Sequence, residues 1–411
     1  MKKIKIFSLL IILLIALIYT TNITAIPSKM ILLEGEELKV DTLIGISVKP
    51  KEGSDYVAKQ ASISLESSIQ GIKKVDYELS LFDKINLKTI QASVIPKTTV
   101  VPVGATIGLK LYTDGVLVVG MSEIENSQLE KVKPYEGCKI KEGDRIIAVD
   151  DKAISCTADL VETVNEAGGN KVEVKYVREN EVYCESMLPA KTVSNEYKLG
   201  LWVRDAAAGV GTLSFYEPST KSFAALGHGI VDVDTGELVT IANGDITTAN
   251  VLSIAKGEKG EPGEIRGSLV NQSSIGKVAK NTKFGIYGVL NNTSFLNVGR
   301  ENELPVAMRE EIKTGKAKII CSLENNKREE YEIEIQRIFA NNNSDNKSMV
   351  IKITDSRLLE KTGGIIQGMS GSPIIQDGKF VGAVTHVLVN NPTMGYGVFA
   401  DLMIKQMKEV K

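Results

Sequence analysis

Ser370 lies in the run Gly368-Met369-Ser370-Gly371-Ser372-Pro373, ahead of the apolar pair Ile374-Ile375. A serine hydroxyl is a weak nucleophile at neutral pH. An enzyme that uses one holds it on a tight turn, beside a base, with backbone amides aimed at the developing oxyanion. The flanking glycines let the chain turn sharply and leave the amides of Gly368 and Ser370 able to face one hollow. Only two histidines occur in 411 residues, so few side chains compete for the role of base.

His228 sits between Gly227 and Gly229, after the apolar Ala224-Ala225-Leu226, a context that exposes an imidazole on a loop beside a β core. His386 falls inside the strand-like Val381-Gly382-Ala383-Val384-Thr385-His386-Val387, which suits packing or lining a groove. A carboxylate that holds the imidazole tautomer would complete the set. Asp232, Asp234, Asp245 and Asp355 are the candidates, Asp355 ending the strand-like Ile351-Lys352-Ile353-Thr354. Spacing leaves the choice open, since most aspartates on such loops form turns or solvated charges.

These residues need a frame to bring them together. From Tyr197 to the C-terminus, short apolar segments such as Val210–Phe215, Ile312–Ser322, Tyr331–Ile338 and Phe380–Val389 are punctuated by glycine, which predicts an all-β barrel or sandwich. Residues 96–190 read differently. The strand-like Thr106–Leu111 and Gly115–Val119 lead to Gly143-Asp144-Arg145-Ile146, an amphipathic helix near Thr157–Glu166, and a strand at Val172–Val177. That order resembles a PDZ domain. The resemblance makes Ile107, Gly108 and Leu109 the carboxylate-binding loop, where amides capture a peptide C-terminus while the peptide adds to the sheet edge. Residues 26–95 form an N-terminal region and linker with strand-like stretches such as Ala61–Leu65.

Composition narrows the function class. Lys+Arg 49 against Asp+Glu 51 gives a formal charge of -2 with no basic stripe, which argues against nucleic acid as a partner. Cys138, Cys156, Cys184 and Cys321 show no paired spacing for zinc or redox chemistry, so no metal or cofactor is called for. Lys2, Lys3 and Lys5 precede an apolar run from Ile6 to Tyr19, so residues 1–25 read as a signal peptide or signal anchor that exports the rest of the chain.

Leu226-Gly227-His228, Ile353-Thr354-Asp355-Ser356-Arg357-Leu358-Leu359, the segment from Thr362 to Ile374, and Gly382-Ala383-Val384-Thr385-His386-Val387 together resemble the stage IV sporulation protein B peptidases of endospore-forming bacteria. The resemblance implies a mainly β fold, with an N-terminal membrane segment, a PDZ domain and a chymotrypsin-like double β-barrel over residues 195–411. It maps a triad onto His228, Asp355 and Ser370, with Gly368 and Ser370 as oxyanion donors. By analogy with chymotrypsin-like enzymes, Thr385 and His386 line the substrate cleft. It further implies self-cleavage, cleavage of a membrane-bound regulator that triggers late mother-cell gene expression, and location in the forespore intermembrane space. Two rivals use the same residues: a PDZ peptide-binding scaffold with an inactive β domain, and an exported serine esterase or acyltransferase. The β-like run after Ser372, where small-substrate hydrolases usually have a helix, favours the peptidase.

Overall fold

The computed structural model describes residues 13–14, 17–24, 26, 28–33, 38, 40, 43–51, 73–95 and 98–410, apart from 270–273, 325–326 and 340–344. Most of the expected membrane segment, and the strand expected at Ala61–Leu65, lie outside the described residues. Residues 17–24 are helical, and no helix among the described residues is long and apolar enough to cross a membrane. The chain divides into two units, 1–98 and 99–411.

The first unit is a four-stranded sheet in the order β1-β4-β3-β2, with β1 (Lys29–Leu33) parallel to β4 (Ile85–Ile95). Its other strands, β2 (Ile46–Pro50) and β3 (Lys73–Leu81), pair antiparallel. Leu79 of β3 and Ile90 of β4 are fully buried.

The second unit holds two closed rings of strands. The first is built from β5 (Thr99–Met121), β9 (Leu201–Tyr216), β10 (Ser222–Ala225), β14 (Gly285–Leu290), β13 (Gly276–Thr282) and β11 (Ile241–Ala255), which pairs back to β5. Alternate residues of β5, Ile107, Leu109 and Leu111, point into its core with Leu213, Phe223 and Ile286, as the two-residue period of a strand requires. A hairpin partner, β12 (Glu264–Leu269), extends β11.

The second ring runs β15 (Gly315–Ser322), β16 (Arg328–Ile338), β17 (Met349–Ile353), β20 (Met394–Phe399), β19 (Lys379–Val387), β18 (Pro373–Gln376) and back to β15. Ile319, Ile333, Ile351, Ile374 and Val398 fill it. Helix α2 (Ser356–Thr362) follows β17, and α3 (Ala400–Lys408) closes the chain.

The region expected to be a PDZ domain over 96–190 shares its first strand with the first barrel, from which the smaller module is an excursion. β5 and β9 pair from Tyr216↔Val101 to Leu201↔Met121, so one ladder leaves the barrel and becomes the floor of a smaller module. That module adds β6 (Arg145–Val149), β7 (Val172–Arg178), β8 (Glu181–Met187) and helix α1 (Thr157–Glu166). Val116, Val118, Ile146, Leu160, Val164 and Tyr176 form its core. Its Gly143-Asp144 turn is fixed by a fully buried Asp144 carboxylate, which accepts from the Lys141 amide at 2.8 Å and pairs with Arg178 at 2.7 Å. The first barrel strand therefore precedes the module and the second follows it, and the unit 99–411 holds the module and both barrels together.

Candidate active site

The turn that carries Ser370 joins α2 to β18. Gly368 and Gly371 have φ of +97° and +99°, the left-handed region that glycine enters without a Cβ penalty. Gly371 also has no room: a Cβ there would stand 2.3 Å from the Thr212 carbonyl oxygen. The turn is closed by Met369 N–H to Ile366 O at 3.1 Å, Gly371 N–H to Val384 O at 2.7 Å and Ser372 N–H to Met369 O at 3.0 Å. Among the described residues the amides of Gly368 and Ser370 donate to no protein group, which leaves both available to an oxyanion.

Thr212 of β9 ties this turn to the other barrel. Its buried hydroxyl donates to Gly368 O at 2.7 Å, its N–H to Ser370 O at 3.3 Å, and its carbonyl accepts from Leu226 N–H at 3.1 Å. Leu226 is two residues before His228. One residue thus holds the serine turn and the histidine turn.

The histidine turn is tight. Leu226 and Gly227 both have φ of +69°, and Gly227 N–H donates to Ala225 O at 2.9 Å. A Cβ on Gly229 would stand 2.3 Å from Leu238 Cδ1 and 2.6 Å from Thr282 O, so the loop is packed where a larger residue would not fit. His228 Nδ1 lies 2.9 Å from the Gly229 carbonyl oxygen. A carbonyl only accepts, so Nδ1 carries the proton and the Nε2 lone pair is left able to accept one. Burial lowers the His228 pKa below the usual imidazole value against the Gly229 bond, which keeps the ring neutral at pH 7.

His228, Ser370, Gly368, Thr385 and His386 line one cleft of about 510 Å³ between the barrels. The Ser370 hydroxyl donates to Thr385 O at 2.7 Å, so in this state it is turned to β19. The His228 and His386 rings are 5.0 Å apart.

Asp355 is not in that cleft. It is the N-cap of α2: Oδ1 accepts from the Arg357 amide at 2.9 Å and Oδ2 from the Glu332 amide at 3.2 Å, and the Arg357 guanidinium closes on both oxygens. Arg357 lowers the Asp355 pKa. The sequence run that suggested a triad carboxylate encodes a helix cap. The other candidates are also committed: Asp232 and Asp234 to Arg204 and their own turn, Asp245 to Lys277 at 2.7 Å. No carboxylate among the described residues bonds His228, and the Gly229 carbonyl takes that place.

Ile107, Gly108 and Leu109 are likewise displaced from their expected role. They sit in the barrel part of β5, paired to Gly211, Val210 and Gly209 on one side and to Thr248, Thr247 and Ile246 on the other. A strand flanked on both edges cannot accept a peptide strand. A second apolar-Gly-apolar run, Leu199-Gly200-Leu201, leads into β9 and was not singled out from the sequence. Gly200 has φ of +74°, and with α1 it borders a groove of about 540 Å³ lined by Leu160, Val161, Val164, Leu201 and Val203. Among the described strands, Leu201–Val203 pair only with β5, leaving their α1-facing edge open. Of the four cysteines only Cys321 is buried, and none is disulfide-bonded.

No curated protein matches the chain. Solved structures that resemble parts of it include the PDZ domain of an SdrC-like protein from Listeria monocytogenes, at 15% identity, 22% of this chain, 87% of that one and a TM-score of 0.18. The HtrA-type protease AlgW with a decapeptide shows 10% identity over 50% of this chain and 53% of that one, TM-score 0.30. The Rv3671c protease of M. tuberculosis in its active form shows 13% identity over 50% and 74%, TM-score 0.28. At these scores the likenesses bear no weight, and the chemistry rests on the chain's own geometry. A family model does match more than half of the chain, residues 195–404, under the description SpoIVB peptidase S55. The chain belongs to the SpoIVB peptidase S55 family and is a serine endopeptidase.

Proposed function

We propose that Ser370 is the nucleophile and His228 the general base of an exported endopeptidase with a chymotrypsin-like double barrel. The observation that carries this reading is the position of both side chains on one cleft, one from each barrel, with Thr212 hydrogen-bonded to both turns. In the reaction the Ser370 hydroxyl turns from Thr385 O to the His228 Nε2 lone pair, a side-chain rotation far faster than any turnover. It then attacks the peptide carbonyl as the imidazole takes its proton. The Gly368 and Ser370 amides hold the oxyanion, and the imidazolium returns the proton to the leaving amine. The backbone of Thr385 and His386 is placed to pair with the substrate main chain once the Ser370 hydroxyl has left it.

The substrate assigned here is a membrane-bound regulator of sporulation in the space between forespore and mother cell, together with the enzyme's own N-terminal region. The family membership and the lysine-led apolar N-terminus support this setting. The groove between α1 and Leu199–Val203 is the site for a peptide C-terminus or for the enzyme's own released segment. Mass spectrometry of the mature N-terminus in wild type and Ser370→Ala tests the reading. Processing in the wild type alone supports it, and identical processing in both removes self-cleavage by Ser370.

A further inference from the structure

Among the described residues no carboxylate bonds His228, yet it does not stand alone: His386 lies with its ring centroid 5.0 Å away and its plane tilted by 36°. Nδ1 of His386 is buried without a hydrogen-bond partner among the described residues, an expensive arrangement for a polar atom unless the ring is wanted there. The ring is carried on β19, whose preceding residue is fixed twice: Thr385 O accepts from Ser370, and Thr385 Oγ1 donates to Asn346 O at 3.2 Å. The strand that receives the nucleophile hydroxyl therefore also sets the second imidazole against the first.

We propose that His386 is a positioning residue for the reaction: its neutral ring packs against His228, fixes the plane of the base, and stabilises the imidazolium formed as Ser370 attacks. This rests on Ser370 and His228 having the roles given above. A cation within about 6 Å of an aromatic centroid is attracted by the ring, more strongly where water is excluded. That attraction requires His386 to stay uncharged while His228 is protonated. The charged groups that act on it are His228 itself, Lys347 and Asp345. Burial, then the His228 charge, then Lys347 push the His386 pKa down to about 4, against Asp345, and so keep its ring neutral near pH 7. The balance is a single proton moved from the Ser370 hydroxyl to His228, with none taken by His386.

The test is saturation labelling of the purified full chain by a fluorophosphonate, which separates the maximal labelling rate from probe affinity. His386→Ala is expected to lower the maximal rate at least tenfold with affinity within about twofold. His386→Phe, which keeps a neutral ring, is expected to recover the rate to within about threefold of wild type. Wild-type labelling in His386→Ala, a loss expressed only in affinity, or no rescue by Phe overturns the proposal. Failure of the underlying serine reading is distinguishable, because the wild type itself would then not label. Should the variants misfold, the wild type still decides. Its two imidazoles are the only ones in the chain, and in an NMR pH titration the His386 ring protons should move at the midpoint of His228. A His386 signal insensitive to that midpoint also overturns it.

Discussion

The hydroxyl of Thr212 donates to the carbonyl of Gly368 at 2.7 Å, joining the second strand of the first barrel to the nucleophile turn of the second across 156 positions of sequence. This bond fixes the Gly368 peptide next to the serine, so the two proposed oxyanion amides keep their common direction. Thr212→Val preserves shape and removes the bond. A lost buried hydrogen bond costs about 1 to 3 kcal/mol, and part of it falls on the transition state. Fluorophosphonate labelling should slow by about tenfold with a small fall in melting temperature; unchanged labelling would show that the turn holds itself.

Gly371 gives a sharper packing test. Its φ of +99° and the 2.3 Å approach of Thr212 O leave no place for a methyl group. Gly371→Ala should destabilise the fold by at least ~1 to 3 kcal/mol, the usual cost of a side chain held in such a region. Thermal denaturation measures it, and a melting point equal to wild type would mean that the turn is looser than described.

Asp355 should behave as a helix cap. Asp355→Ala is expected to cost about 1 kcal/mol, the typical loss at an N-cap, with the exposed Arg357 pair adding little. Arg357 lowers the Asp355 pKa, so its contribution is present above the unfolded value and lost as pH falls through the depressed one. Labelling per folded molecule should stay within about threefold of wild type. A loss of a hundredfold in well-folded protein would return the carboxylate to the catalytic set.

The pH profile follows from burial of the two imidazoles. Burial lowers both pKa values, His386 to about 4, so each is neutral when folded but binds a proton near pH 6.5 when unfolded. The unfolded chain then holds more protons below that value, and stability falls as pH drops from about 6.5 towards 4. Activity needs neutral His228, so the acid limb of the labelling rate should have its midpoint below 6.5. A midpoint above 7 would mean that an anionic neighbour stabilises the imidazole in its charged form.

The chemistry was easier to read from the chain than its architecture. Ser370 and His228 stand out because glycines on both sides are what an exposed, turn-borne reactive group requires, and both do reach the same cleft. Asp355 could not be separated from a helix cap, because an aspartate between a strand and a helix presents the same residues in either role. Ile107, Gly108 and Leu109 were misplaced for a related reason. Alternating apolar residues around a glycine describe a barrel strand as well as the edge of a peptide groove, and only the pairing to β9 and β11 decides. That the barrel is interrupted after its first strand leaves no local mark, since β5 and β9 run unbroken through the junction.

Intact-mass and peptide analysis after fluorophosphonate treatment tests the central claim most directly. Wild type should gain one adduct, on the peptide bearing Ser370, and Ser370→Ala and His228→Gln should gain none at the same exposure. An adduct on another serine, or equal labelling of Ser370→Ala, would contradict the catalytic assignment.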